Sequence, residues 1–260
     1  MQLSELTERV IEVSKSAGAF IREQYFLFNE KQVEVKSLNS LVSFVDITAE
    51  KMIVKELKNI FPEAAFLTEE KTIEETISEW LWIIDPLDGT TNFIHGIPTF
   101  AVSIGLIHKG KMKLGVVYEI MRDECFSAYE GSQSMMNGKF IHVSERKTLS
   151  DSLIATGFPY DKFDFVPQYL KILSYLMQHT RGIRRIGSAA VDLAYTACGR
   201  FDGFFEYNLN AWDVAAGAFI VQQSGGSVTD FSGGDNSIFG KEILAGNGII
   251  NEGLRKIITQ

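Results

Sequence analysis

Six carboxylates in this sequence, Asp46, Glu69, Glu70, Asp85, Asp88 and Asp213, stand where the chain turns or changes element. The densest setting is Trp82-Ile83-Ile84-Asp85-Pro86-Leu87-Asp88-Gly89-Thr90-Thr91-Asn92, in which an apolar strand runs straight into two acids, a proline and a glycine. Pro86 fixes its own φ and holds Asp85 extended. Gly89 allows a sharp change of direction with backbone close to a ligand. Such a turn can aim two carboxylates and the Leu87 carbonyl at one point, and hard oxygen donors of that kind suit Mg²⁺ or Mn²⁺. The plainer reading is that Asp85 and Asp88 are turn formers, since Asp-Pro and Asp-Gly are common turn dipeptides. Taken alone, the segment reads as a turn. The other acids shift the balance towards a site. Glu69-Glu70 follows a short apolar stretch, Asp213 follows Trp212 at the head of a small-residue helix, and Asp46 precedes a second helix. Each has its own plain alternative: a solvated charge pair for Glu69-Glu70, and a helix cap or first-turn acid for Asp46 and Asp213.

Elements able to position these acids are legible in the apolar spacing. Leu3, Leu6, Val10, Val13, Ala17 and Phe20 recur at steps of three and four, one face of a long amphipathic helix. Lys31 to Lys36 alternates and predicts a strand. A helix is expected from about Ile47 to Ile60, stopped by Pro62. Ala65-Phe66-Leu67 predicts a short strand ending at Thr68-Glu69-Glu70, and Trp80 to Ile84 a denser one ended by Asp85-Pro86. Phe100–Ile107, Leu114–Tyr118 and Cys125–Tyr129, joined by turns at Lys109-Gly110 and near Arg122-Asp123, predict an antiparallel meander. Gly131–Gly138 reads as a loop. Beyond about residue 150, strands near Leu153, Phe204 and Val228 alternate with helices at Tyr169–Met177, Ala189–Ala197 and Val214–Gln223, the rhythm of an α/β layer. The expected division is an N-terminal α+β part, 1–147, carrying most of the candidate ligands, and a C-terminal α/β part, 148–260, completing the site.

Composition narrows the functional classes. The chain has 260 residues, 45% hydrophobic and 22% charged, the balance of a globular protein able to bury a sizeable core. Cys125 and Cys198 are far apart and in no metal-ligand spacing, so a disulfide framework is not expected and a reducing cytoplasm is the simplest compartment. Neither a signal peptide nor a membrane span is legible. A net charge of −8 argues against an extended nucleic-acid footprint. That charge also raises a problem, because an acidic protein that takes an anionic substrate needs a local source of positive charge.

The whole chain resembles the inositol monophosphatase family. Trp82 to Phe93 is close to the family's W-I-I-D-P-I/L-D-G-T-T-N-F signature, and Trp212-Asp213-Val214-Ala215-Ala216-Gly217 to its W-D-x-A-A-G. Val102–Leu106, Gly115–Tyr118, Thr156–Tyr160, Gly187–Ala190 and Gly199–Asp202 are also familiar. The resemblance implies a layered αβαβα sandwich of the sugar-phosphatase type, α+β then α/β, as a homodimer. It implies a site between the halves holding two or three Mg²⁺, with Mn²⁺ as a substitute. By motif position Glu69, Asp85, Asp88, Asp213 and the Leu87 carbonyl would be metal ligands. Glu70 would hold a metal-bound water, and Asp46 and Thr90 would orient and activate the attacking water. Phosphate would rest near the amides of Gly89-Thr90, with Asp88 and Asp213 facing it. Ala189 and Glu206 match positions that contact sugar hydroxyls, against the plain reading of Glu206 as a surface acid at a strand end. The chain departs from the pattern at Thr68, often glycine in the family, in the 131–138 loop, and at Asn210, where some relatives carry histidine.

The implied activity is Mg²⁺-dependent hydrolysis of a small phosphate monoester, foremost inositol 1-phosphate. Cations gathered by the carboxylates would resolve the charge problem. No covalent intermediate is expected, since neither cysteine has a nucleophile's setting, and His95 is read as structural or surface. Within the same superfamily, 3′-phosphoadenosine phosphates, fructose 1,6-bisphosphate and histidinol phosphate stay open as substrates. A different class also stays open: a regulatory partner of RNA-processing or transcription complexes, as some bacterial relatives are.

Overall fold

The Leu6, Val10, Val13 and Ala17 stripe is buried along the helix α1 (Leu3–Asn29), which continues the pattern through Ile21 and Tyr25. The computed structural model describes residues 1–29, 35–74, 76–159 and 165–259. Helix α2 (Val35–Ile60) packs on α1 and ends ahead of Pro62, as the proline requires. It starts well before the expected Ile47. Ser37, Asn39, Ser40 and Ser43 favour turns locally, but the apolar face of Val45, Ala49, Ile53 and Leu57 buries against the sheet, and tertiary packing overrides weak propensity. Asp46 therefore lies inside a helix and does not precede one. Of the strand expected at Lys31–Lys36, residues 31–34 lie outside the described residues, and Val35 and Lys36 open α2.

Seven strands follow in one sheet, in sequence order: β1 (Ala65–Thr68), β2 (Trp80–Asp88), β3 (Ala101–His108), β4 (Lys111–Glu119), β5 (Glu124–Tyr129), β6 (Met135–Met136) and β7 (Lys139–Phe140). The expected meander is there, and β6 arises within the stretch expected to be a loop. β1 pairs with β2 in parallel and the rest are antiparallel. β2 runs past Asp85-Pro86, where the strand was expected to end. Its register with β3 shifts between Asp85 and Asp88, an irregularity that accommodates a proline without an N–H to give. The short helix α3 (Thr90–Ile94) follows at once.

The second sheet has the order β11-β12-β10-β8-β9 and is mixed. It comprises β8 (Leu153–Thr156), β9 (Gly182–Arg184), β10 (Gly203–Tyr207), β11 (Ser227–Thr229) and β12 (Glu242–Gly246), with helices α4 (Val166–His179), α5 (Ala189–Ala197), α6 (Ala211–Gln223) and α7 (Gly248–Ile258) between or after them. β9, β12 and α7 were not legible in the sequence. Contacts order the elements in five layers: α1 and α2, the seven-stranded sheet, α5 and α6, the five-stranded sheet, then α4 and α7. This is the expected αβαβα sandwich. Among the described residues, no helix is long and apolar enough to cross a membrane.

Strand parity decides which way the acids face. Along β2, Trp82 and Ile84 join the apolar cluster under α1 and α2, while Ile83 packs with Ala211 and Ala215 of α6. Asp85, two residues after Ile83, falls on the α6 side. Along β1, Phe66 faces α1 and α2, and Leu67 faces α6. Glu69 continues the Leu67 face and Thr68 the other. The middle layer lies close to the sheet: a Cβ on Gly115 of β4 would stand 2.7 Å from the Ala216 carbonyl oxygen of α6.

Candidate active site

Glu69, Asp85, Leu87, Asp88, Gly89, Thr90, Ala189, Glu206 and Asp213 all line one cavity of about 390 Å³ between the two sheets. The parallel β1–β2 pairing brings the first two together, because Thr68 is in register with Ile84 and the Glu69 N–H donates to the Ile84 carbonyl at 3.3 Å. Asp85 is 1% exposed; its Oδ1 accepts the Leu87 N–H at 2.9 Å, so the turn after the strand is closed by the side chain that begins it. Gly89 takes φ of +99°, and a Cβ there would meet the Thr99 carbonyl at 3.1 Å. The chain then enters α3, and the Thr90 hydroxyl donates to the Leu87 carbonyl at 3.0 Å.

The C-terminal half completes the cluster from two helix starts. Asp88 Oδ2 accepts from the Ser188 hydroxyl and from the Ala190 N–H, both at 2.6 Å, at the N-terminus of α5. Asp213 is the third helical residue of α6, in a capping box with Asn210, whose N–H donates to its Oδ2 at 2.6 Å. Asp213 is thus a first-turn helix acid, as its plain reading had it, and it also faces the cavity. One carboxylate oxygen each from Asp85, Asp88 and Asp213 lies within 4.8 Å of the others. Glu69 is hydrogen-bonded to Asp85 beside them.

Crowding of like charges out of water governs the electrostatics. Burial, then the charges of Glu69, Asp88 and Asp213, push the Asp85 carboxyl well above the usual carboxylate range. Burial raises Glu69 to about 7, even against its hydrogen bond to Asp85. Burial and the Asp213 charge raise Asp88 to about 7 although Ser188 and the α5 amides oppose them. Asp213 is raised to about 6, chiefly by burial. Four partly or wholly buried carboxyls at one point, with hard oxygens turned on a shared space, are a donor set that fits divalent cations.

Asp46 and Glu70 stand behind this wall. Neither lines the cavity, but Asp46 is 5% exposed and raised to about 8 by burial and then by Glu70 and Glu69. Glu206 in β10, on the same cavity, is 9% exposed, and burial followed by the Asp88 charge raises it to about 8. The strand-end acid is not a surface group. His95 ends α3 exposed and outside the cavity lining, and Cys125 and Cys198 are both free thiols away from it.

Several residues that shape the site carried no assignment in the sequence. Glu50 on α2 accepts hydrogen bonds from the segment bearing Glu69 and Glu70. Asp192, 1% exposed on α5, has its pKa raised well above normal by burial and the Glu206 charge. Arg185 lines the cavity with its guanidinium over the Phe158 ring, 5.0 Å from the centroid. Ser188 could have been found as a helix N-cap immediately ahead of an Ala-rich helix. Glu50 could have been found one helical turn after Asp46, had the helix been extended backwards.

Comparison with known proteins finds relatives along the whole chain. The model of the inositol monophosphatase family matches residues 2–260. The Nus factor SuhB of Pseudomonas aeruginosa is 42% identical over 242 residues, covering 91% of this chain and 89% of that protein. An inositol-1-monophosphatase of Mesorhizobium japonicum is 39% identical over 261 residues, covering 100% and 98%. The crystal structure of the extragenic suppressor protein suhB from Bartonella henselae superposes with a TM-score of 0.89 at 40% identity, covering 98% of this chain and 99% of that one.

Proposed function

The chain belongs to the inositol monophosphatase family, and on that footing we propose that it is a divalent-cation-dependent phosphatase that hydrolyses a small cyclitol or sugar phosphate monoester, foremost inositol 1-phosphate. The observation that carries this reading is the gathering of carboxyls on one cavity. Glu69, Asp85, Asp88 and Asp213 crowd together there, and Glu206 lines the same cavity near Asp88. The crowded acids suit a phosphoryl group through cations, and Glu206 is the acceptor proposed for hydroxyl groups. Glu69, Asp85, Asp88, Asp213 and the Leu87 carbonyl are the proposed cation ligands, with Mg²⁺ the expected ion and Mn²⁺ a substitute. When bound there, paired divalent cations neutralise the phosphate dianion and acidify a water.

The protein's own groups do the rest. The α5 N-terminus and Ser188 fix Asp88, and the capping box fixes Asp213, so the ligand oxygens are set before any cation arrives. Thr90 on the cavity is proposed to hold the attacking water, with Asp46 behind it to take up the proton and Glu70 to hold a further, metal-bound water. The amides at Gly89-Thr90 face the phosphate oxygens, and Glu206 accepts from substrate hydroxyls. No cysteine or serine nucleophile is required, and water attacks phosphorus directly. The homodimer implied by the resemblance belongs to the same reading.

The name of the Pseudomonas aeruginosa relative, a Nus factor, favours a second reading in which the chain serves a transcription complex and its hydrolytic activity is secondary. Phosphate release separates the two. Inositol 1-phosphate, fructose 1,6-bisphosphate, histidinol phosphate and 3′-phosphoadenosine 5′-phosphate are offered with Mg²⁺ and with EDTA. Turnover that needs Mg²⁺ and is led by inositol 1-phosphate is the expected result. Another leader keeps the site and changes the substrate. No release at saturating Mg²⁺, together with recovery of ribonucleoprotein by an Asp88→Asn bait, would replace the first reading with the second.

A further inference from the structure

Glu50 has no part in the reaction as proposed, yet it is 0% exposed and sits on α2 one turn after Asp46. Its carboxyl is hydrogen-bonded at both oxygens. Oε1 accepts from the Thr68 hydroxyl at 2.9 Å and the Thr72 N–H at 2.8 Å, and Oε2 accepts from the Glu70 N–H at 2.8 Å. All three donors belong to one short segment, the end of β1 and the turn after it, and that segment carries Glu69 and Glu70. Strand parity sends Thr68 towards α2 and Glu69 towards α6 and the cavity. The three bonds hold this split in place. With them made, Glu69 reaches Asp85 while Glu70 acts as the foremost charge on Asp46.

Three neutral donors satisfy a buried carboxylate but leave its negative charge uncancelled. Both oxygens act as acceptors, which a carboxylate can supply and a neutral amide cannot. An anion here adds to the repulsion among Asp46, Glu69 and Glu70, an addition that a bound cation would offset. Thr68 is one of the places where the chain departs from the family pattern, in which glycine is often found, and its hydroxyl supplies the only side-chain donor among the three bonds.

We infer that Glu50, clamped to Thr68, Glu70 and Thr72, is a positioning residue that sets the cation affinity of the site by fixing where Glu69 and Glu70 point. This rests on the cation-dependent reading of the cavity. It makes Thr68 a tuning position that the glycine-bearing relatives lack.

The test uses the full chain and Mn²⁺ alone as the probe, followed by calorimetry and by the electron paramagnetic resonance of the free ion. Glu50→Gln keeps the size and one acceptor oxygen but presents an NH₂ group where an acceptor is needed. Thr68→Val removes one donor with little change of shape. Glu50→Gln is expected to weaken Mn²⁺ binding about 10–100-fold, the usual effect of losing a group that orients metal ligands. Thr68→Val is expected to weaken it less, in the same direction. Both variants should melt in a single cooperative step in EDTA, and both should regain most of the wild-type kcat at saturating Mg²⁺, with the loss confined to the cation requirement. Unchanged Mn²⁺ affinity in Glu50→Gln, or a kcat that high Mg²⁺ does not restore, overturns the inference while leaving the phosphatase reading intact. Should Glu50→Gln fail to fold, Thr68→Val decides by the same criterion. A wild-type chain that binds no Mn²⁺ overturns both.

Discussion

Asp85 and Asp88 are each held by a backbone N–H as well as by a neighbouring side chain, so the position of Asp85 is a property of its own turn and that of Asp88 a property of the α5 N-terminus. The same economy applies at Glu206. The Glu206 carboxyl lies flat on Gly157, and a Cβ on that glycine would come within 2.2 Å of its carboxyl carbon and both oxygens. Gly157 is held in turn by the Tyr169 hydroxyl, which donates to its carbonyl. Gly157→Ala therefore must displace Glu206. For inositol 1-phosphate the expected outcome is a KM raised about tenfold, the value of one lost ~1.4 kcal/mol contact, with kcat within a few-fold. For p-nitrophenyl phosphate, which has no ring hydroxyls, KM should hardly change. Steady-state kinetics on the two substrates checks this; an equal rise for both would mean that Glu206 does not read hydroxyls. At this scale the sequence was informative wherever a motif gave a residue a place, as with Asp85, Asp88 and Asp213. It was silent on Glu50 and Asp192, because a lone acid inside a helix looks the same whether it faces water or a cluster of other acids.

At the scale of elements, the site depends on how closely α6 approaches the seven-stranded sheet. Ala215 and Ala216 give α6 small residues towards the sheet, and Gly115 gives β4 a bare spot opposite Ala216. Ser103 ties the two together by donating its hydroxyl to the Trp212 carbonyl at 3.2 Å, next to Asp213. Gly115→Ala would place a methyl 2.7 Å from the Ala216 carbonyl oxygen, and neither backbone can give way alone. Overpacking of this kind costs ~1–3 kcal/mol. Lifting α6 also lifts Asp213 away from Asp85 and Asp88. A lower melting temperature in EDTA, together with a raised Mg²⁺ requirement for phosphate release, is the expected pair of results; a stability loss with unchanged Mg²⁺ dependence would show that the cluster does not depend on this contact. α2 teaches the opposite lesson about legibility. Its end at Pro62 is written in the residues, whereas its start is set by packing, and placing the start too late moved Asp46 from the helix interior to its edge. β2 passed through Asp85-Pro86 because the register slip there removed the need for the missing N–H, a matter of pairing with β3 that no local pattern records.

The molecule as a whole is acidic, with a net charge of −8, and it concentrates part of that charge in one cleft between the layers. The consequence is a linkage between protons, cations and stability. Asp46, Glu69, Asp88 and Glu206 have folded pKa values raised to about 8, 7, 7 and 8. A raised carboxyl binds its proton more tightly folded than unfolded, so its contribution to stability is full below the unfolded value near 4 and is lost as pH rises through the folded one. Asp151, Asp230 and Glu252, which are lowered, act at more acid pH and leave this window alone. In EDTA the melting temperature should fall between pH 5.5 and pH 8.5. The increment given by Mg²⁺ should grow over the same range, because a cation must displace those protons to bind. Differential scanning calorimetry at both pH values, with and without Mg²⁺, measures the two trends; a Mg²⁺ increment independent of pH would remove Glu69 and Asp88 from the cation site. The sequence by itself determined the kinds of element and most of the strands, because apolar period and turn chemistry are local properties of the residues, and its motifs carried the family resemblance that singled out the candidate acids. Only the tertiary structure decided which acids share one space, that Glu206 and Asp46 are buried, and that Glu50 and Ser188 hold the acids in place. Those facts depend on the register of β1 on β2 and on the seating of α5 and α6 between two sheets, and residues far apart in the chain meet only after every layer has packed.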